Sequence, residues 1–209
     1  MTESPPPSAG RRVLRTFVAV EVPGPARAEV RALVEAVAAA SPPRAVRWVR
    51  PEGLHLTLRF LGPTPVERLA AVGAVVRATA GRHRSFAVEI AGAGAFPTLR
   101  RPRVLWLGVA VGGPELAALA ADLDRGFEPL GWAPEGRPYA AHLTLARAEP
   151  GPGAAETAAR LVEAAHGFRL RWEVEDLVLF ESILGRGGAS YLPLERVPLG
   201  VAAASPRGA

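Results

Sequence analysis

The tetrapeptide His-Leu-Thr-Leu occurs twice, at 55–58 and at 142–145. Each copy sits in an apolar alternation and is followed by a turn rich in Gly or Pro and then by a helical pattern. Two echoes in equivalent settings mark a diverged internal duplication, so the chain must fold into two related halves. Side chains alternate between the faces of a strand. Leu54, Leu56, Leu58 and Phe60 therefore point one way, and His55, Thr57 and Arg59 the other. In the second copy Leu143 and Leu145 oppose His142, Thr144 and Ala146. The leucines suit a core, which leaves a His–Thr pair on the opposite face of each strand.

Strand and helix patterns alternate around these motifs. A strand is predicted at 15–22, then a helix from Pro23-Gly24-Pro25 with Val30, Leu33, Val34 and Val37 on one face. Short strands at 46–49 and 54–61 flank a Pro51-Glu52-Gly53 turn. Thr64, Pro65 and Glu67 have the spacing of a capping box, predicting a helix that opens at Thr64 with Val66, Leu69, Val72 and Val76 inward. Strands at 85–93 and 103–111, a helix from Pro114 to Gly131, the strand 141–147, an Ala-rich helix at 154–166 and strands at 168–181 and 189–195 complete the pattern. Mixed order with hairpin-like strand pairs implies an α+β fold of two lobes facing each other across a groove. The expected organisation is a disordered tail at 1–12, one bilobal domain at 13–199 and a disordered tail at 200–209.

Composition removes several chemistries. The 209 residues are 49% hydrophobic, enough for a sizeable core. There is no cysteine, which excludes disulfides, thiolate nucleophiles and Cys-based zinc sites. No apolar run is long enough to span a bilayer, and the polar, Pro-rich start lacks the apolar stretch of a signal peptide, so the expected location is the cytoplasm. The net charge is +5, and all 25 basic residues are Arg. Arg grips phosphate with a two-pronged fork. The abundance of Arg, Ala, Gly and Pro equally reflects the codon bias of a GC-rich genome, so charge alone says little about nucleic acid.

Two His–Thr pairs facing one another meet the needs of opening a cyclic phosphate. In an in-line displacement the attacking and leaving oxygens lie on opposite sides of phosphorus. One imidazole takes a proton from water and the other protonates the departing ribose oxygen, which is possible because histidine titrates near neutrality. Thr57 and Thr144 supply hydroxyl donors to the equatorial oxygens, and Arg147 a guanidinium. A zinc site is the poorer alternative, since no motif carboxylate provides a third ligand. Gly-rich phosphate loops, serine nucleophile elbows and paired carboxylates in a catalytic context are absent from the sequence.

These motifs resemble the paired HxTx signatures of the 2H phosphoesterase superfamily, and most of all its branch of RNA 2′,3′-cyclic phosphodiesterases, also known as 2′–5′ RNA ligases. The likeness extends through RTFVAVEVP at 15–23, VRWVRPEGLHLTLRFLG at 46–62, AFPTLRRPRVLWLGV at 95–109, RPYAAHLTLAR at 137–147 and VLFESILGRGGASYLPLE at 178–195. It implies a pseudo-symmetric bilobal fold of two antiparallel sheets with outer helices and a central cleft. It implies metal-independent, cofactor-free hydrolysis of 2′,3′-cyclic RNA ends, or of a cyclic nucleotide, to 2′-phosphomonoesters, with His55 as proton donor and His142 as proton acceptor. Thr57 and Thr144 carry over as phosphate-binding residues, Arg147 matches a basic residue lining the cleft, and Arg59 stands where the branch usually has Lys or Arg. Joining of RNA ends through a 2′–5′ bond and non-catalytic nucleotide binding are the alternatives, and the expected state is a monomer.

Other residues carry weaker signals. Phe17 and Trp48 are candidates to stack on a base, with core packing as the alternative. Trp106 reads as core. Arg100, Arg101 and Arg103 form a basic cluster that either steers an RNA tail or is a solvated charge run. Ser182 either reaches the cleft or caps a turn. His83 is expected in an exposed loop, and His166 at a helix end, where its positive form suits the dipole.

Overall fold

The computed structural model describes residues 12–149, 151–185 and 188–200. Of the expected tails at 1–12 and 200–209, residues 1–11 and 201–209 lie outside the described residues. Arg12 and Gly200, assigned to those tails from sequence, are tied down: the Val66 amide donates to the Arg12 carbonyl (3.0 Å) and the Gly200 amide to the His83 carbonyl (2.7 Å).

The chain runs β1 (Val13–Glu21), α1 (Gly24–Ala40), β2 (Arg47–Trp48), β3 (His55–Pro65), α2 (Leu69–Ala80), β4 (Phe86–Thr98), β5 (Arg101–Val111), α3 (Gly113–Phe127), β6 (His142–Arg147), α4 (Pro152–Ala164), β7 (Arg169–Val174), β8 (Asp176–Gly185) and β9 (Gly188–Pro198). All strand pairs are antiparallel. The strand order is β7-β4-β5-β6-β3-β1-β8-β9, with β2 added alongside β6. The two expected sheets are in fact continuous, because β3 and β6 meet at one residue pair, Leu56 with Leu143. On either side of that pair lie the two halves, β7-β4-β5-β6 and β3-β1-β8-β9.

Helices cover one face and leave the other open. α1 and α4 pack on the half carrying β6, while α2 and α3 pack on the half carrying β3. Each half is thus roofed partly by a helix from the other half of the chain. Val18, Val20, Leu56, Leu58, Leu105, Leu107, Leu143 and Leu145 fill the core beneath them, each 4% exposed or less. The expected α1 stripe is borne out by buried Val30 and Val37, with Leu33 and Val34 at its margin. A second, small cluster of Phe17, Ala19, Val178 and Phe180 sits apart from this core.

The capping box does not form. Thr64 stays in β3, opposite Leu14, and its hydroxyl accepts from Thr16 across the strands (2.7 Å) while donating to Gly62 O (3.2 Å). Pro65 is extended, and a single 3₁₀ turn at Val66–Arg68 precedes α2. A cross-strand Thr–Thr bond, available only in the folded sheet, has displaced the local one. Val66 accordingly lies exposed rather than in the helix stripe.

Alternation along the motif strands breaks at a matching place in both. Ala19 pairs with Thr57 but Val18 with Arg59, so Leu58 is the extra residue of a β-bulge. Trp106 pairs with Thr144 but Leu105 with Ala146, so Leu145 is its counterpart. A bulge reverses the facing of everything after it. Arg59 therefore turns away from His55 and Thr57, correcting the alternation read from sequence, and Phe60 takes the open face. Arg59 is 5% exposed, with Nε 2.5 Å from Asp124 of α3, Nη1 2.6 Å from Glu135, and Nη2 donating to Ala133 O. Ala146 likewise joins the core at 0% exposure, and Arg147 takes the open face.

Arg59 is the buried member of these pairs, and removing it leaves Asp124 (23% exposed) and Glu135 (54% exposed) without their shared cation. Arg59→Ala should lower the unfolding free energy by roughly 2 kcal/mol, less than for a fully buried pair because the carboxylates reach solvent, measured by urea denaturation. A structural role also requires Arg59→Ala to leave phosphate binding in the open face unchanged.

Candidate active site

The pairing of Leu56 with Leu143 is antiparallel, so β3 and β6 pass each other about that pair. Thr57 then lies on the side of His142, and His55 on the side of Thr144. The two histidines are diagonal neighbours, about 7 Å apart in a regular sheet. Both imidazoles face the open side, away from the leucine core.

Each histidine is held in the same way. Nδ1 of His55 donates to Gly53 O, and Nδ1 of His142 to Ala140 O, both at 2.7 Å. A carbonyl only accepts, so Nδ1 carries the hydrogen and Nε2 is the nitrogen without one in the neutral ring. The loop before β6 is bound to β3: the Tyr139 hydroxyl donates to Thr57 O (3.0 Å) and Trp132 Nε1 to Leu61 O (2.9 Å). Burial pushes the Tyr139 phenol well above its ordinary range, so it stays a neutral donor.

The surroundings of the two rings differ. His55 lies 4.8 Å from the Phe17 ring and 4.9 Å from Tyr191, which meets it edge-on, with Phe180 at 6.2 Å. His142 has Phe96 at 5.1 Å, also edge-on. Burial among the rings pushes His55 down to about 4, against the raising effect of the Gly53 hydrogen bond and with small further lowering from Arg147 and His142. His55 is therefore neutral at pH 7.

A cavity of about 480 Å³ opens over His55 and Thr57, with Phe60, Arg47, Arg147 and Ser182 in its wall. The structure brings His55, His142, Thr57, Thr144 and Arg147 to one face. Ser182 reaches the cleft from β8, opposite Tyr191, rather than capping a turn. Phe17 also borders the cavity but is 2% exposed, stacked on Phe180 (5.2 Å) and covered by His55. It offers no free face to a base and instead supports His55. Trp48 pairs with Ala146 and packs on the main core, so it too is no stacking platform.

Other residues depart from the sequence reading. Trp106, taken as core, pairs with Thr144 and so faces the cleft beside Phe96 (5.2 Å). Its indole lies flush over Gly94, where any added Cβ would collide with the ring. His83 is not an exposed loop residue: Nε2 lies 2.8 Å from Asp122 and the side chain is 18% exposed. His166 is exposed after α4, as expected. Arg100 and Arg101 sit exposed at the β4–β5 turn. Sequence reasoning missed Phe60, Phe96, Phe180, Tyr191 and Arg47 at the site. For Phe96, Phe180 and Tyr191 no local signal existed, because long-range pairing alone brings them to the histidines. Among the described residues no three His, Asp or Glu side chains cluster to hold a metal ion, and no helix is long and apolar enough to cross a membrane.

The family model for the 2′-5′ RNA ligase superfamily matches residues 22–186. The chain belongs to that superfamily. An RNA 2′,3′-cyclic phosphodiesterase of Methanothermobacter thermautotrophicus is 34% identical over 184 residues, 87% of this chain and 97% of the relative. The Thermus thermophilus protein of that name is 35% identical over 196 residues, 89% and 90% of the two chains. Among solved structures, TT0787 of Thermus thermophilus matches with a TM-score of 0.70 at 34% identity, covering 89% of this chain and 98% of that one. Escherichia coli LigT complexed with 3′-AMP matches at 0.68 and 29%, covering 90% and 99%. The expected 2H phosphoesterase fold is thereby borne out.

A depressed His55 pKa has two measurable consequences. An unfolded histidine binds a proton near pH 6.5, while the folded one resists to about 4. Between those values the unfolded chain holds more protons, so the stability present above pH 6.5 is lost as pH falls through 4, by at most about 3 kcal/mol. His55→Gln should remove that part of the slope in urea denaturation followed against pH. Inorganic phosphate in the cleft should raise the His55 titration midpoint, read by imidazole proton NMR.

Proposed function

We propose that this protein hydrolyses the 2′,3′-cyclic phosphodiester ends of RNA to 2′-phosphomonoesters by two-histidine acid–base catalysis without a metal. The observation that carries this reading is the pair of imidazoles on adjoining strands, each with Nδ1 tied to a carbonyl and Nε2 left for the cleft. The names of the relatives support it as well.

Water enters opposite the P–O3′ bond. His142 Nε2 takes its proton as the new P–O bond forms. The P–O3′ bond breaks, and His55 Nε2 gives its proton to the ribose 3′ oxygen, leaving the phosphate on O2′. Thr57, Thr144 and Arg147 stabilise the charge gathering on the non-bridging oxygens. Burial leaves His55 neutral at pH 7, and the phosphate anion binding beside it favours the proton it needs as donor. A desolvated imidazolium is a strong acid, which suits a donor to an alkoxide leaving group. One chain supplies both motifs, so the acting unit is a monomer, working in the cytoplasm.

His55→Ala and His142→Ala should each lower kcat on 2′,3′-cyclic AMP by at least about 10²-fold, while EDTA leaves turnover unchanged; phosphorus NMR should assign the product as the 2′-phosphate. Full activity in either variant, or loss in EDTA, overturns the mechanism. The roles separate on an activated ester such as bis(p-nitrophenyl) phosphate, whose leaving group needs no proton. There His55→Ala should recover most of its loss and His142→Ala should not.

A further inference from the structure

Beyond Arg147 the cleft does not end. A second cavity, of about 830 Å³, shares Arg47 and Arg147 with the first and continues between Arg44 and Arg103. Glu149 is the carboxylate in its lining. Arg47 and Arg147 stand directly opposite each other on β2 and β6. Like charges in cross-strand register are destabilising unless an anion lies between or beside them. The Ala148 amide donates to Arg103 O (3.0 Å), which sets Arg103 next along the same wall.

Many arginines elsewhere are paired with carboxylates. Arg59, Arg77, Arg125, Arg160 and Arg196 each have a carboxylate partner. Arg44, Arg47, Arg103 and Arg147 have no hydrogen-bond or ion-pair partner for their side chains among the described residues. Arg44 is also held at φ 59, the one non-glycine residue with positive φ among the described residues. Long side chains rarely adopt that conformation, and such strain clusters where a side chain must be aimed.

We propose that this groove is a binding site for the backbone phosphates of single-stranded RNA on the 5′ side of the cyclic end, so that the preferred substrate is an oligonucleotide rather than a cyclic mononucleotide. The inference rests on the reaction proposed above. The cyclic phosphate terminates a strand, so the rest of the RNA leaves the catalytic cavity through its 5′ oxygen and needs a path along the surface. The groove supplies one, lined with uncompensated guanidinium groups that match phosphate in charge and geometry. Arg44 and Arg103, at its far side, take the phosphates beyond the terminal nucleotide.

The test compares the parent protein with Arg44→Gln/Arg103→Gln on 2′,3′-cyclic AMP and on a tetranucleotide ending in the same cyclic adenosine. Both side chains lie on the groove wall without partners, so the double variant leaves no charge orphaned. The expected result is a KM for the tetranucleotide raised roughly tenfold at low salt, with kcat/KM on cyclic AMP unchanged. The slope of log KM against log salt should weaken by roughly 1.4, at about 0.7 for each phosphate that an arginine no longer neutralises. Equal losses on both substrates, or no loss on the tetranucleotide, overturn the groove. Anisotropy of a 5′-fluorescein tetranucleotide carrying a terminal 2′-phosphate reads binding without turnover. If the parent opens neither substrate, the proposed reaction fails, and the anisotropy difference between parent and double variant still decides the groove: weaker binding by the double variant supports it and equal binding overturns it.

Discussion

The single pairing of Leu56 with Leu143 is the joint on which the site depends. Each half of the sheet is a complete antiparallel set with its own helical roof, and either half alone would present one imidazole. The central rung turns two independent strands into neighbours, and its antiparallel sense puts His55 diagonal to His142. Both leucines are fully buried, so the rung is sealed on its core side by apolar packing. One rung by itself would flex. The hydrogen bonds of Tyr139 and Trp132 to carbonyls of β3 brace it, because they bind the loop that delivers His142 to the strand that carries His55. Arg59, gripping Asp124, Glu135 and Ala133 from the other side of β3, holds the same loop a third time.

Duplication would make a symmetric site, and acid–base chemistry needs an asymmetric one. The bulges show how the symmetry is kept in the backbone and broken in the side chains. After each His-x-Thr one extra leucine reverses the facing of the strand. The residue two beyond it then enters the cleft, as Phe60 in one half and Arg147 in the other. Phe60 extends an aromatic surround with Phe17 (6.5 Å) and the Arg15 guanidinium above it (4.5 Å), whereas Arg147 opens a charged path. His55 therefore sits in low dielectric and loses its proton readily, while His142 faces solvent and one aromatic edge. Two identical tetrapeptides acquire different surroundings from what folds around them.

That division explains what could be read in the chain and what could not. The duplication, the leucine face, the His–Thr pairs and the helix between Gly113 and Phe127 follow from periods of 2 and 3.6, which are local. Alternation puts Arg59, Phe60 and Ala146 on the wrong face because it holds only until a bulge, and a bulge is defined by a partner strand. Thr64 had every local mark of a cap, yet the deciding contact was Thr16, forty-eight positions away. Phe17 and Trp106 show the converse. Both lie in strands that read as uniformly apolar, and only the register tells which apolar residues line the core and which line the cleft. His83 carries no local sign of Asp122, because α3 brings that carboxylate from a distant stretch of chain.

Charge follows the same logic. A chain whose 25 basic residues are all Arg can owe that composition to its genome, and the net +5 then says nothing of a partner. Composition does not, however, dictate where the carboxylates go. Folding sets Asp122, Asp124, Asp176, Glu156 and Glu195 against particular arginines and leaves the wall around Arg147 uncovered. Surface pairs contribute little stability each, so pairing is better understood as placement: it neutralises part of the surface charge and leaves Arg44, Arg47, Arg103 and Arg147 unpaired together along the wall that continues from His55. An uncompensated field in a concave, low-dielectric wall reaches further into solvent than the same charges scattered over a convex surface. On the proposed reading, this field draws anions along the arginine wall that continues from the catalytic cavity.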